Sequence, residues 1–203
     1  MPGWPSSWNG KEVGGRTLLG CGVYPIKFSA KSGAAAVGGP APGMAADPDA
    51  ETGEVPQDLL DEVLYYFKAL MMMATFPTEG PGDRISLYLT LYIQQMLKRL
   101  SPAMQEPVAE KDAMLVLTEL AKEKIVGVGD AAYPFNAMYP AASSAEEKAE
   151  WNQYALQLRL ELASRVHAAV FAHPEGKDRR GNKYWLVFGR QLFLGHAFEK
   201  IGT

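Results

Sequence analysis

The sequence has little of the chemistry that marks many small proteins. It contains one cysteine, Cys21, and three histidines among 203 residues. A single thiol forms no intrachain disulfide, and no Asn-x-Ser/Thr glycosylation site occurs, so a secreted disulfide-rich domain is not indicated. The histidines show no spacing that a metal motif uses; they are His167, His173 and His196. We expect no metal site and a reducing compartment.

Charge of one sign and long apolar runs are also missing. The chain has 20 Lys and Arg against 23 Asp and Glu, a net charge of −3. No general field therefore favours nucleic acid or a membrane surface. No run of about 18 apolar residues could span a bilayer, and the first residues lack the pattern of a signal peptide. We expect a soluble cytoplasmic protein that recognises its partners through local surfaces.

No pattern of an active site stands out. Gly127 to Ala132 fits the G-x-G-x-x-A pattern of dinucleotide binding. Pro134 interrupts the helix that such a site needs, and helical patterns lie on both sides, so a plain loop is favoured. Cys21 has no basic neighbour at helical spacing that would activate its thiol. We therefore expect no catalytic or cofactor-binding residue, and the protein is predicted not to be an enzyme.

Two N-terminal segments lack a helical period. Residues 1–30 scatter apolar side chains between glycines and prolines, which predicts an extended arm. Residues 31–55 are rich in Gly, Ala, Pro and acid, with too few large apolar side chains to offset the entropy of ordering. This composition predicts a flexible acidic linker, and residues 56–203 are predicted to form the helical domain.

The periodic segments after residue 56 predict an all-α, irregular multi-helix domain of about five helices, one of them long. The first helix follows Pro56, and its end from Leu70 to Ala74 is apolar on all sides, which predicts burial on every side. The second begins near Asp83, a predicted N-cap, and ends at Leu100. A third helix is expected over about residues 108–124.

The fourth helix is predicted to be the long one. Ser144 and Glu147 form the spacing of a capping box, and helical periodicity continues to Phe171. At 1.5 Å per residue this helix would be roughly 40 Å long. Apolar residues form two stripes on it, so we expect it to pack on two sides. A short aromatic segment around Trp185 follows.

Two clusters are predicted to contact partners. On the second helix, Leu87 and Leu91 lie opposite the main apolar face, with Arg84 and Lys98 beside them. This patch faces either a partner or another element of the same domain. The second cluster is a basic loop of Lys177, Arg179, Arg180 and Lys183. It could contact nucleic acid, an acidic protein surface or only solvent.

Several motifs keep a characteristic order and spacing. They are Asp61-Glu62-x-x-Tyr65-Tyr66-Phe67-Lys68, Tyr88-x-Thr90-Leu91-Tyr92-Ile93, Tyr133-Pro134-Phe135-Asn136, Tyr154-x-x-Gln157-Leu158-Arg159 and Lys183-Tyr184-Trp185. In these residues the chain resembles the 21-kDa subunit family, subunit 3, of the actin-related protein 2/3 complex.

The resemblance implies a non-catalytic structural subunit of a seven-member assembly that nucleates actin as branches on the side of a mother filament. It implies actin-related protein 3, the other subunits and the actin filament as partners, and nucleation-promoting factors indirectly. It also implies the actin cytoskeleton as location and no cofactor, since nucleotide belongs to the actin-related subunits. The residues alone leave one alternative, a free-standing helical nucleic-acid-binding module that uses the basic C-terminal tail.

Overall fold

The computed structural model describes residues 5–45, 55–124, 126–174, 176 and 179–196. Within them the chain forms five α-helices and one antiparallel pair of short strands. The elements are β1 (Thr17–Leu18), β2 (Cys21–Gly22), α1 (Leu59–Leu70), α2 (Pro81–Leu100), α3 (Glu110–Lys122), α4 (Ala145–Val170) and α5 (Lys183–Leu186). The prediction of a mainly helical fold is confirmed. No helix in the described ranges has the length and apolar character needed to cross a membrane.

Helix α1 starts at a reciprocal cap. The Asp58 carboxylate accepts a hydrogen bond from the Asp61 backbone N–H at 3.0 Å, and the Asp61 carboxylate accepts one from the Asp58 N–H at 3.2 Å. The helix ends at Leu70, and Met71 is buried, whereas Met72 is 71% exposed. The prediction that this end is buried on every side is therefore wrong at Met72, because the chain leaves the helix in a turn at the surface.

Helix α2 is the centre of the core. It is enclosed by α1, α3, α4, strand β2 and the short turn Val187–Arg190, and it carries buried side chains around most of its circumference. The predicted N-cap at Asp83 is wrong. Gly80 is the N-cap and Pro81, whose fixed φ suits the first helical position, begins the helix. The Asp83 carboxylate instead accepts from the Glu79 and Gly80 backbone N–H groups at 2.8 and 3.0 Å.

Helix α4 confirms its predicted start, because the Ser144 hydroxyl accepts a hydrogen bond from the Glu147 N–H at 3.1 Å. Its 26 residues span roughly 39 Å at the usual helical rise. One face joins the main core, which includes the fully buried Trp151. Another packs Leu160 against Ala34 of the N-terminal region and Ala121 of α3. The two-sided packing predicted for this helix is thus confirmed.

The N-terminal arm carries the hairpin β1–β2, which periodicity did not predict. The hairpin lies against α4: the Tyr154 hydroxyl donates to the Gly22 carbonyl at 3.1 Å and accepts from the Tyr24 N–H at 3.1 Å. The Leu19 N–H donates to the Glu147 carboxylate at 2.8 Å. Two-residue strands are too short to show an alternating pattern, so periodicity could not identify this hairpin.

The described part of the predicted linker also contacts α4. Ala34 and Ala41 are buried, and the Ala41 N–H donates to the Gln157 side-chain oxygen at 3.1 Å. A side chain at Gly39 would place its Cβ 2.3 Å from that oxygen. Residues 46–54 lie outside the described residues. The division of the chain into arm, flexible linker and helical domain stays a prediction.

Candidate protein-interaction surface

Leu87 and Leu91 are not available to a partner. Both have 0% exposure within the chain itself. Gln94 follows on the same face of α2, one turn after Leu91, and its amide donates to the carbonyl groups of Gly189 and Gln191 at 3.2 and 2.8 Å. The C-terminal segment therefore approaches this face of α2. The prediction that the two leucines contact a partner is wrong, because the chain buries them in its own core.

The two charged residues predicted beside these leucines, Arg84 and Lys98, differ in exposure. Arg84 is half-buried, and its Nε donates to the Met138 carbonyl at 3.0 Å, so it holds the loop before α4. Lys98 is exposed near the other end of α2, beside Gly189. Of this pair, only Lys98 has a largely exposed side chain.

Arg179 and Arg180 bind groups of the chain itself. The Arg179 guanidinium forms an ion pair with Glu110 at the start of α3. The hydrogen bond from Arg179 holds the pKa of the Glu110 carboxyl below its ordinary value. The Arg180 guanidinium donates to the Pro107 carbonyl. The two arginines therefore connect the basic loop to the region around α3, although Arg179 is still largely exposed.

Of the other two basic residues of the loop, Lys177 and Lys183, the structure describes only Lys183. Lys177 lies outside the described residues. Lys183 is exposed at the first position of α5, with its ammonium 5.3 Å from the centre of the Tyr184 ring. Tyr184 itself is 66% exposed. The start of α5 therefore presents a cation and an aromatic ring together at the surface.

A groove of about 520 Å³ runs between the end of α2 and the segment from the basic loop to α5. We call it the C-terminal groove. It is lined by Ser101, Glu106, Pro107, Gly176, Arg180, Gly181, Lys183, Leu186, Val187 and Arg190. Three of these residues are basic and one is acidic. The groove combines an apolar part with an excess of positive charge.

The C-terminal groove joins predicted and unpredicted residues. Arg180 and Lys183 were predicted as partner contacts, whereas Arg190 was not. Lys183, Val187 and Arg190 are spaced by four and three residues, the spacing of one helical face. This regularity is the signal that could have identified Arg190. Gly189 lies so close to α2 that an added Cβ would be 2.5 Å from the Lys98 backbone nitrogen.

The groove suits an acidic protein segment better than a nucleic acid. A phosphate backbone needs a row of cations that remain available along its length. Here the Arg179 and Arg180 guanidinium groups are directed at Glu110 and Pro107. An acidic peptide or protein edge could contact Lys183 and Arg190 while it covers the apolar part of the groove.

Many motif residues build the core. Phe67, Tyr88, Tyr92 and Tyr154 are buried. The Tyr88 ring lies edge-on to Trp151 at 5.3 Å between ring centres, and Arg159 is placed 5.8 Å from the Tyr92 ring centre. Asn136 holds the loop before α4, since its side-chain oxygen accepts from the Gly129 N–H at 3.1 Å. These motif positions are explained by folding.

Other motif residues are at the surface. Tyr65 is 81% exposed, Tyr66 is half-buried, and their rings meet edge-on at 4.8 Å. Lys68 is exposed, with its ammonium 4.6 Å from the centre of the half-buried Trp185 ring. Burial does not explain why an aromatic ring occupies position 65.

Comparison with known proteins gives a consistent result over the length of the chain. The sequence model of the family described as P21-Arc, ARP2/3 complex ARPC3 (21 kDa) subunit, matches residues 1–198. Actin-related protein 2/3 complex subunit 3 of Dictyostelium discoideum is 32% identical over 192 residues, which cover 95% of this chain and 97% of that protein.

Two further relatives agree. The Caenorhabditis elegans protein named probable actin-related protein 2/3 complex subunit 3 is 31% identical over 156 residues, 74% of this chain and 81% of the relative. Subunit 3 of Schizosaccharomyces pombe is 32% identical over 144 residues, 71% of this chain and 78% of the relative. The family match over residues 1–198 includes both the arm and the helices.

Proposed function

The chain belongs to the family of the 21-kDa subunit, subunit 3, of the actin-related protein 2/3 complex, and we propose that it is a non-catalytic structural subunit of that complex. In this role it associates with actin-related protein 3 and the other subunits and supports branched actin nucleation on the side of a mother filament. The match over residues 1–198 carries this proposal.

The most deeply buried ion network among the described residues stabilises the chain's own fold. Arg165 binds Asp58 and Asp61 and also contacts Glu161, and its side chain is only 14% exposed. Burial acts to lower the pKa of Arg165, but the hydrogen bonds and charges of its partners, Asp58 first, outweigh it and raise the pKa. This network joins α1 to α4, so its charges serve the fold.

For the C-terminal groove we propose contact with an acidic surface of an actin-family subunit. Lys183 and Arg190 would supply most of the attraction, with Arg179 and Arg180 of the basic loop nearby; the charge of Lys177 belongs to the same sequence cluster. Such charge complementarity chiefly raises the rate of encounter and makes binding sensitive to salt. The partner that we assign to the groove is actin-related protein 3.

Location and regulation follow from the same proposal. The chain would reside in the cytoplasm at the actin cytoskeleton, where branched filaments form. Nucleation-promoting factors would reach it only through the complex as a whole. No cofactor is required of this chain in that role.

The test of the groove replaces Lys183 and Arg190 with Glu in the full chain and reconstitutes the complex with it. We expect the double variant to incorporate less than the wild type and to lose more of its binding as salt rises. Lys122→Glu, an exposed position on α3, is the matched control. Equal incorporation of the double variant and the control at low salt would refute the groove contact. Failure of the wild-type chain to incorporate would refute the proposed function itself.

A further inference from the structure

Two motif segments separated along the chain meet at one place on the surface. The Phe67 ring of α1 stacks on the Trp185 ring of α5, with 5.8 Å between centres and an interplanar angle of 10°. Lys68, the next residue, covers the same indole with its ammonium at 4.6 Å. The motif of α1 and the motif of α5 therefore form a single structural unit.

The outer side of this unit is a stripe along α1. Tyr65 precedes Lys68 by three residues, so their side chains occupy successive turns of α1. Met72 lies in the turn that follows the end of the helix at Leu70. Tyr65 is 81% exposed and Met72 is 71% exposed. An aromatic side chain can bury about 150–250 Å² in a contact. We define Tyr65, Lys68, Met72 and Trp185 as the aromatic stripe.

The charge of the aromatic stripe has one sign. Lys68 is the only basic residue of α1. The acids of the helix are bound elsewhere: the Asp61 carboxylate pairs with Lys27 and Arg165, and the Glu62 carboxylate accepts from the Ser6 hydroxyl at 2.5 Å. The stripe therefore presents apolar area and a cation, while the helix's own carboxylates are directed at the N-terminal arm and α4.

We propose that the aromatic stripe docks against another subunit of the complex, whose surface has an apolar cleft bordered by a carboxylate. The inference rests on the proposed function and adds a second contact face, separate from the C-terminal groove. Tyr, Trp and Met are the residues that interface centres favour. Lys68 is already positioned over Trp185, so it loses little side-chain freedom when a carboxylate approaches.

A second copy of this chain does not fit the stripe. In a symmetric dimer the same patch of both chains forms the interface, so each residue faces the same residue, or another residue of that patch, on the second chain. Two Lys68 ammonium groups would then share one apolar interface without an acid of the stripe to neutralise them. A different protein that has a carboxylate at its surface can cover the apolar side chains of the stripe and also neutralise the Lys68 ammonium group.

The first test places a photo-reactive phenylalanine at position 65 or 72 of the full chain and assembles the complex. Crosslinks from both positions to one other subunit are the expected result. Met104, an exposed methionine outside the helices, is the matched control position. No crosslink from 65 or 72, or an equal yield from 104 to the same subunit, would overturn the proposal.

The second test measures affinity for the complex that lacks this subunit. Tyr65→Ala together with Met72→Ala should weaken binding by about 30-fold, as loss of an interface centre does. Tyr65→Phe and Met104→Ala should bind like the wild type. Because both stripe residues are exposed, the helical circular-dichroism signal should not change.

Three outcomes separate the possibilities. Wild-type affinity of the stripe double variant, while the wild-type chain assembles normally, overturns the stripe and leaves the proposed function intact. Failure of the wild-type chain to bind the rest of the complex overturns both. Self-association of the chain that Tyr65→Ala abolishes overturns the proposal by assigning the stripe to a second copy.

Discussion

Replacing Arg165 with Met should destabilise the protein more than any exposed charge substitution. The guanidinium lies 2.5 and 2.6 Å from the two Asp58 oxygens, 2.8 Å from an Asp61 oxygen and 2.8 Å from the Lys27 carbonyl. Asp58 has no exposed surface. Methionine fills similar space without the charge, so the Asp58 carboxylate would remain buried next to an apolar side chain.

The magnitude follows from that uncompensated carboxylate. Removing one partner of a buried ion pair costs about 3–5 kcal/mol of the free energy of unfolding. A domain has about 5–15 kcal/mol in total, so the loss is a large fraction of it. With a urea slope of about 2 kcal/mol per molar, the midpoint of unfolding should fall by roughly 1.5–2.5 M.

The assay is urea unfolding of the full chain followed by circular dichroism. Arg16→Met is the matched control, because the Arg16–Glu150 pair is exposed and such pairs contribute about 0–1 kcal/mol. Adding Asp58→Asn to Arg165→Met should recover part of the loss, since Asn removes the buried charge and still caps a helix. A midpoint for Arg165→Met no lower than that of Arg16→Met would refute the reasoning.

Three further predictions concern the arm, the C-terminal turn and acid. Asn9→Ala removes the side-chain oxygen that accepts from the Gly82 N–H at 2.8 Å at the start of α2, and should cost about 1 kcal/mol of unfolding free energy in the same urea assay. Gly189→Ala places a Cβ 2.5 Å from the α2 backbone and should destabilise by about 1–3 kcal/mol. Hydrogen bonds, those from Ser143 first, lower the pKa of the Glu147 carboxyl below its ordinary value, so NMR titration should give a lower midpoint in the folded protein than in the unfolded chain. The pKa of Glu147 is lower in the folded protein than in the unfolded chain. The stability that these hydrogen bonds contribute is therefore complete at pH values above the unfolded-state pKa, and it is lost as the pH falls through the folded-state pKa.

Each of these has a result that would contradict it. Wild-type stability of Asn9→Ala would show that the arm does not cap α2. Wild-type stability of Gly189→Ala would show that the turn is not held close to α2. A Glu147 midpoint that is no lower in the folded protein than in the unfolded chain would show that its carboxylate is not held by the groups assigned to it.

Local signals in the sequence predicted much of the helical fold. Ser144 and Glu147 predicted the start of α4, because the capping hydroxyl of Ser144 and the Glu147 N–H that donates to it are only three residues apart. The start of α2 was misplaced because Asp83 suits an N-cap by composition, while Pro81 and the contacts of Gly80 decide the actual boundary. Local chemistry identified the element but not its first residue.

Contacts between distant residues explain the wrong predictions. The face of α2 with Leu87 and Leu91 resembles an exposed patch until the C-terminal segment, about a hundred positions later, approaches it at Gln94. No periodicity within α2 contains that information. In the C-terminal groove the charges of Arg180 and Lys183 were evident from the sequence, whereas the 81% exposure of Tyr65 was not.

The central claim is that this chain is a structural subunit of the actin-related protein 2/3 complex. The most direct test is to determine which proteins the assembly that contains this chain is made of. The measurement is native mass spectrometry of material purified through a tag on the full chain. We predict a complex that contains one copy of this chain together with actin-related protein 3 and the other subunits. A chain recovered alone, or with partners that include no actin-related subunit, would contradict the claim.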